Sequence, residues 1–304
     1  MTVRPISPWL GLPLLLLCGT LWGITFPLSK IGIEGGIHPF AYGVWVAGLS
    51  SAVLLALVFA RGQRLPLGAA HLRLYLVTGL FGQALPNMAY YFYIPHMPAG
   101  LAAVIITTSP LITFVLALLL SIERFNAVRA FGVACGFSGA LMLVLPGSAL
   151  PSPETLGWVL LAFATPFFYA GSNIAMATLR PDALGAPAMA AGMFLASFLA
   201  QLPVLAISGE WYLLLPPTAP RDWALIAQVG CSITAHVLYL TIMPRFGLVF
   251  VSQVGYVVTL AGILWGLAFF GETLSPWVYG AAAVIMGGVV LVNLGDRLRR
   301  LKPA

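Results

Sequence analysis

The chain has 304 residues, of which 61% are hydrophobic and 7% are charged. Soluble globular proteins carry about 25% charged residues, so this composition excludes an ordinary soluble domain. The formal net charge of +6 comes from basic residues scattered between apolar segments. That distribution argues against a nucleic-acid-binding surface, which needs basic residues gathered on one face.

Long uncharged segments dominate the sequence. Cutting the chain at charged residues, and at three histidines near segment ends, leaves ten segments with at least 22 residues each. A helix needs roughly 20 apolar residues to cross a hydrocarbon core of about 30 Å. We therefore predict an all-α polytopic membrane protein with ten transmembrane helices. They lie within 5–29, 39–60, 74–95, 97–122, 130–153, 155–179, 183–209, 223–244, 246–271 and 273–295.

Two stretches of the chain resemble each other. Residues 97–123 and 243–272 both begin with Met-Pro, continue as a long apolar run and end on one glutamate. Met97 and Met243 are 146 residues apart, and Glu123 and Glu272 are 149 apart. Internal similarity at a fixed spacing indicates a repeated unit. We predict two repeats, 1–148 and 149–304.

The number of helices in each repeat fixes the relative orientation of the two copies. Ten predicted helices give five per repeat, and an odd number means that the second copy enters the membrane from the opposite side. Inverted repeats of this kind are typical of secondary transporters, in which the binding site lies near the midplane. We therefore expect Glu123 and Glu272 to lie on opposite faces of the membrane.

The basic residues predict the orientation of the chain. With a cytoplasmic N-terminus, twelve of the 14 lysines and arginines fall on the inside, and only Lys30 and Arg221 fall outside. An excess of basic residues in cytoplasmic loops is the usual signal of membrane orientation. Both termini are therefore predicted to be cytoplasmic.

An enzymatic site is not apparent from the residue types. The predicted helix interiors contain no Asp or Glu, and His236 is their only histidine. Hydrolytic or metal chemistry needs clusters of such residues. Cys18, Cys135 and Cys231 fall in predicted helices and are interpreted as small apolar residues. No metal, cofactor or nucleic-acid partner is expected.

Polar and aromatic residues recur at helical spacing on several helix faces, as the lining of a central cavity would require. Such residues also commonly serve as interhelical hydrogen-bond partners. Lys30, near a helix end, is expected to extend to the membrane interface. The candidate cavity residues are Trp22, Asn87, Tyr90, Tyr91, Thr107, Tyr169, Asn173, His236, Tyr239, Gln253 and Tyr256.

These side chains favour a solute with little net charge. Amides, hydroxyls and freed carbonyls can bind an ammonium and a carboxylate, while aromatic rings stack on an apolar side chain and offer cation–π contacts. The absence of an intramembrane carboxylate disfavours a strong preference for cations. An amino acid fits this description, and a lipophilic drug or another metabolite is the alternative. Proton coupling through His236 and simple facilitated flux both remain open.

Prolines within the apolar segments predict helix distortions. Pro86, Pro110 and Pro166 are candidate bending points because each removes a backbone donor. The fifth and tenth helices are rich in glycine and poor in polar side chains, which predicts close helix packing or a self-association surface.

The repeated unit, LLCGTLWGITFPLSKIGI, PAGLAAVIITTSPLITFVLALLLSIE and FGETLSPWVYGAAAVIMGGVVLV together resemble EamA-type members of the drug/metabolite transporter superfamily. Within it the chain looks most like the YddG-type exporters of aromatic and other amino acids. This resemblance implies ten helices, a cavity between four-helix halves, peripheral fifth and tenth helices, and efflux across a bacterial inner membrane. An arginine that many relatives carry in the second helix is replaced here by Trp45 or Val46, so its role is not transferred.

The sequence leaves three functional hypotheses open. The first is an alternating-access exporter of amino acids, acting as a monomer or homodimer among membrane lipids. The second keeps the fold and exports drugs or other metabolites. The third is an intramembrane enzyme built on His236 and a serine.

Overall fold

The computed structural model describes residues 8–123, 125–144, 154–179, 181, 184–246 and 254–301. These residues form α-helices joined by short turns and loops. The first half contains α1 (Pro8–Gly23), α2 (Thr25–Glu34), α3 (Pro39–Ala60), α4 (Ala69–Gly79), a π-helical turn (Leu80–Ala84), α5 (Leu85–Tyr93), a 3-10 turn (Ile94–His96), α6 (Ala99–Ile106), α7 (Ser109–Leu119) and α8 (Ala127–Val144). The second contains α9 (Thr155–Ala162), α10 (Ala164–Leu179), α11 (Ala186–Ser208), α12 (Pro220–Phe246), α13 (Val254–Phe270) and α14 (Pro276–Leu301).

Several helical segments are long and apolar enough to cross a membrane. Within the described ranges six segments meet this condition, and three apolar helices are shorter. The six are Gly11–Glu34, Pro39–Ala60, Ala99–Leu119, Thr155–Leu179, Ala186–Ser208 and Pro220–Met243. The shorter ones are Ala127–Met142, Val254–Phe270 and Pro276–Val292. The chain is therefore a polytopic helical membrane protein, and the number of ten spans stays a prediction.

Four helical segments are interrupted near a proline. The interruptions lie at Ile24, Leu80–Ala84, Thr107–Thr108 and Phe163, ahead of Pro27, Pro86, Pro110 and Pro166. A proline cannot donate to the carbonyl four residues earlier, and its ring crowds that carbonyl. The predicted bending points at residues 86, 110 and 166 are thus confirmed as breaks, whereas Pro13 and Pro203 lie inside continuous helices.

Threonine hydroxyls near these breaks donate to carbonyls of the preceding turn. Thr107 Oγ1 donates to the Ala103 carbonyl at 2.9 Å, and Thr108 Oγ1 donates to the Ile105 carbonyl at 2.7 Å. In the first segment Thr25 Oγ1 donates to the Trp22 carbonyl at 2.6 Å. A buried hydroxyl is costly in an apolar environment unless it is hydrogen-bonded, and these bonds satisfy the threonine side chains within their own helices.

The helices pack in pairs that mostly join the first half of the chain to the second. α3 lies along α11, α1 lies against α12 and α13, and α10 lies against α4, α5 and α7. α8 and α14 lie against each other. The central group brings the broken helices together, and this position allows their polar side chains to meet in the middle of the bundle.

The contact between α8 and α14 depends on glycine. A Cβ atom on Gly288 would lie 2.5 Å from the Gly132 carbonyl oxygen and 2.6 Å from the Gly136 amide nitrogen. A Cβ atom on Gly132 would meet the Gly288 carbonyl at 2.7 Å. Backbone cannot move aside as a flexible side chain can, so only glycine allows this approach. The predicted packing role of these two glycine-rich helices is confirmed.

Adjacent glycines provide a matched test of this interface. We expect Gly288→Ala to lower the free energy of unfolding by about 1–3 kcal/mol, because an added methyl group overpacks a closed contact. Gly287→Ala is the control, since a Cβ atom there has no neighbour within 4 Å. Unfolding of the purified protein in mixed micelles measures both variants. Equal effects of the two substitutions would contradict a backbone contact at Gly288.

Candidate solute-binding site

A hydrogen-bonded group of polar side chains lies between α12 and the segment formed by α4, the π-helical turn and α5. Gln83 Nε2 is 2.6 Å from His236 Nε2, and Asn87 Nδ2 donates to Gln83 Oε1 at 3.2 Å. Gln83 is buried, while Asn87 and His236 are partly exposed. We call these three residues the polar centre. It joins residues that lie 153 positions apart in the chain.

Local helix geometry positions the polar centre. Gln83 lies on the π-helical turn that precedes Pro86, and such turns occur frequently at functional sites. A Cβ atom on Gly82 would lie 2.5 Å from Ser172 Oγ, so the glycine lets this turn approach α10. His236 is held on α12 by a hydrogen bond from its ring to the carbonyl one turn earlier, at Ser232, at 2.8 Å.

The hydrogen bonds determine the protonation of the imidazole. The Ser232 carbonyl can only accept, so His236 Nδ1 carries the proton and donates. His236 Nε2 is then an acceptor, and the Gln83 amide donates to it. The Gln83 oxygen in turn accepts from Asn87. The polar centre is therefore satisfied with a neutral histidine.

Aromatic rings surround the imidazole. The centroid of the Trp22 ring lies 5.1 Å from that of His236, and the Phe194 centroid lies 5.0 Å away. Tyr239 packs against Trp22 at 5.2 Å. These apolar neighbours, together with the absence of a charged contact among the described residues, favour the uncharged ring. The structure thus brings the predicted residues Trp22, His236 and Tyr239 together, and their role in lining a cavity stays a prediction.

A second group of predicted residues has a packing role in this conformation. The Tyr90 hydroxyl bonds Ser29 Oγ, and the Tyr91 hydroxyl accepts from Gln228 Nε2 at 3.1 Å. Only 5% of Tyr90 and 1% of Tyr91 is exposed. These bonds connect α5 to α2 and α12, so both tyrosines are closed off from any solute in the described state.

The remaining predicted residues lie apart from the polar centre. Thr107 bonds Thr259 and joins the break before α7 to α13. Asn173 donates to Thr113 Oγ1 at 3.3 Å, and Tyr169 lies near Tyr91 and Tyr93. Tyr256 packs against the main apolar core. Gln253 lies outside the described residues.

Lys30 forms an ion pair near the end of α2. Its Nζ lies 2.9 Å from Glu272 Oε1 and donates to the Met97 carbonyl at 3.3 Å. The side chains are 13% and 11% exposed. The partner lies 242 residues away in the chain, so helical spacing does not predict this pair, and extension to the membrane interface stays a prediction.

An open surface depression lies elsewhere. It has a volume of about 680 Å³ and is lined by residues of α3, the following loop and α11, among them Phe59, Arg64 and Leu195. None of the predicted cavity residues lines it. The candidate site is therefore the polar centre, whose side chains are chemically suited to a solute, and not this depression.

Gln83 is the residue that the sequence-based selection missed. It lies on the same helix face as Asn87, but only the structure places its amide between Asn87 and His236. The signal in the sequence was the amide pair at spacing four, immediately around a helix-breaking proline.

Histidine tautomers can be measured directly. We expect His236 to be neutral and protonated on Nδ1 at pH 7, because the Ser232 carbonyl accepts from that nitrogen. Nitrogen-15 NMR of protein labelled at histidine checks this, with His236→Gln identifying the resonance. Protonation on Nε2 alone, or a charged imidazolium, would contradict the described hydrogen bonds.

Comparison with known proteins bears on the role of this site. Residues 9–145 match the EamA-like transporter family. The chain is 29% identical over 290 residues to an uncharacterised inner membrane transporter, YedA, of Escherichia coli, covering 93% of this chain and 90% of the relative. It is 28% identical to a probable terminal-alkyne amino-acid exporter of Streptantibioticus cattleyicolor, covering 95% and 96%. It is 25% identical to a probable amino-acid metabolite efflux pump of Salmonella typhimurium, covering 94% and 96%.

A solved crystal structure is also similar to the chain. The TM-score is 0.59 at 20% sequence identity, and the match covers 95% of this chain and 98% of the other. This similarity concerns the fold alone. The chain is therefore a multi-pass membrane protein, and its residues 9–145 match the EamA-like transporter family.

Proposed function

We propose that this chain is a secondary transporter that exports amino acids with aromatic and other neutral side chains across a bacterial inner membrane. The family match and the relatives named as an amino-acid exporter and an amino-acid metabolite efflux pump support this proposal. Transport would proceed by alternating access, with one half of the bundle moving against the other around the polar centre.

The packing pattern supports an architecture of two inverted five-helix repeats, 1–148 and 149–304. The proposed spans are numbered 1 to 10, and each span in the first half has its equivalent five places later. In chain order they are formed by α1 with α2, α3, α4 with α5, α6 with α7, α8, α9 with α10, α11, α12, α13 and α14. Span 1 packs against spans 8 and 9, and its equivalent, span 6, packs against spans 3 and 4. Span 2 packs against span 7, and span 5 against span 10. Exchanging the two halves leaves these pairings unchanged, as a pseudo-twofold axis requires.

The polar centre is the observation that carries the proposal. Its amides come from the first half and its imidazole from the second, so movement between the halves alters it directly. Amide groups can donate to a carboxylate and accept from an ammonium. Trp22 and Tyr239 supply aromatic surfaces next to these groups, which suits an amino acid with an apolar or aromatic side chain.

Drugs and other lipophilic metabolites are the second candidate. The rings of Trp22, Phe194 and Tyr239 around His236 would also accept an uncharged aromatic compound. The amides of the polar centre distinguish the two candidates. A solute that separates Gln83 from His236 must offer hydrogen-bonding groups of its own, because otherwise the amides lose their partners.

The intramembrane enzyme receives no support from the contacts of His236. Among the described residues its partners are an amide, a backbone carbonyl and aromatic rings. A histidine that activates a serine needs the hydroxyl within hydrogen-bond distance. The family match also indicates a transporter.

Flux into proteoliposomes tests the proposal. Purified full-length protein should move neutral and aromatic amino acids faster than protein-free vesicles, and a panel of the twenty amino acids would define the range. Lipophilic dyes tested in parallel separate the second candidate. Transport of dyes without any amino acid would contradict the proposed substrate class.

Trp22 offers a test of aromatic recognition. We expect Trp22→Ala to raise the half-saturation concentration for L-phenylalanine about three- to tenfold, because an aromatic pair contributes about 0.5–1.5 kcal/mol. The half-saturation concentration for L-serine should change less. Trp223→Ala is the control, since Trp223 is 59% exposed. Equal changes for both amino acids would contradict stacking on Trp22.

A further inference from the structure

The Lys30–Glu272 ion pair is unusual in so apolar a chain. The ammonium and carboxylate come from opposite halves and close one end of the bundle, where α2, α6 and α13 meet. On the orientation predicted from the basic residues, this is the outer end. An exporter that releases its solute there must separate these helices, and therefore these charges.

A turn of the backbone at Gly271 positions Glu272. Gly271 follows α13 with φ of +63°, a left-handed conformation that favours glycine. This turn folds Glu272 back over the helix, so that a Cβ atom on Gly266 would lie 2.5 Å from Glu272 Oε2. The carboxylate also faces the amide nitrogen of Gly100 at 3.5 Å.

Breaking such a pair leaves two poorly solvated charges. Removing one partner from a buried ion pair is strongly destabilising because the other charge loses its compensation. A molecule that carries both an ammonium and a carboxylate can supply a new partner to each residue of the pair. The backbone groups at hand are of the right kind, since the Met97 carbonyl already accepts from an ammonium and the Gly100 N–H faces a carboxylate.

A line of side chains on one helix face connects the polar centre to this pair. Trp22 contacts His236, Phe26 contacts Tyr90, and Lys30 contacts Glu272. The spacing of four keeps these residues on one stripe across the break at Ile24. At 1.5 Å per residue the stripe covers about 12 Å, which separates the two sites by roughly the length of one amino acid or slightly more.

We propose that Lys30 and Glu272 form a second subsite, which binds the α-ammonium and α-carboxylate of an amino acid as the solute leaves the bundle. Glu272 receives the ammonium of the solute and Lys30 receives its carboxylate, so the ion pair opens without exposing an uncompensated charge. Solutes lacking either group pass slowly. This inference rests on the proposed export of amino acids and adds a site that selects for the zwitterion.

Three related probes test the subsite in proteoliposomes of the full-length protein. L-Phenylalanine carries both charges, L-phenylalaninamide lacks the carboxylate, and 3-phenylpropanoate lacks the ammonium. The wild-type chain should move L-phenylalanine about tenfold or more faster than either analogue, as expected when a hydrogen-bonded charge loses its partner. In the double variant Lys30→Met, Glu272→Gln this preference for L-phenylalanine should fall about fivefold or more, because no charge at the subsite then needs compensation, and the preference that remains belongs to the polar centre.

The second ion pair provides the matched control. Arg129 Nη1 lies 3.2 Å from Glu123 Oε2 in the first half of the chain. The variant Arg129→Met, Glu123→Gln should keep the wild-type preference for L-phenylalanine, and size-exclusion profiles verify that both variants are folded. An unchanged preference in Lys30→Met, Glu272→Gln would overturn the subsite while leaving amino-acid export intact. A wild-type chain that moves no amino acid would overturn both.

Discussion

Hydrogen bonding within a hydrocarbon environment is the constraint on which the structure depends. Lipid offers no partner for a backbone or side-chain polar group, so each must be satisfied inside the protein. The chain meets this requirement with helices along most of the described residues, and the threonine hydroxyls near the helix breaks bond carbonyls of their own helices. The same requirement collects the amides and the imidazole in the interior, where they bond one another.

The few charges obey the same constraint. Lys30 is paired with Glu272, and Glu123 is paired with Arg129. His236 avoids a charge by donating through Nδ1 to its own helix and accepting at Nε2. The interior thus combines a neutral polar centre with an ion pair at one end. In the proposed export cycle the first holds the solute by hydrogen bonds, and the second exchanges partners with its charged groups.

Features that depend on local sequence could be predicted. Apolar length identified the membrane helices, the prolines identified their breaks, and glycine identified the close packing of α8 with α14. Helical spacing also put His236 and Tyr239 on one face of α12, where the structure packs Trp22 against both. These outcomes follow from the hydrocarbon thickness, the missing proline donor and the missing Cβ atom, all of which act within one or two helices.

Features that depend on distant partners could not be predicted. The position of a helix end gave no sign that Lys30 would meet Glu272, and nothing local distinguishes the buried Tyr91 from the partly exposed Asn87. Gln83 owes its central position to the packing of α12 against the π-helical turn. Such contacts are decided by the rotation of each helix about its axis, which depends on the whole bundle.

The central claim is that two halves of opposite orientation meet at the polar centre. Site-directed labelling with a membrane-impermeant maleimide tests it most directly, using a chain in which Cys18, Cys135 and Cys231 are replaced. Single cysteines are introduced by Ile122→Cys, where the side chain is 45% exposed, and by Thr273→Cys, an exposed position. Spheroplasts should label only T273C, and inverted membrane vesicles only I122C. Labelling of both positions from the same side would contradict opposed halves, and with them a solute site between the two.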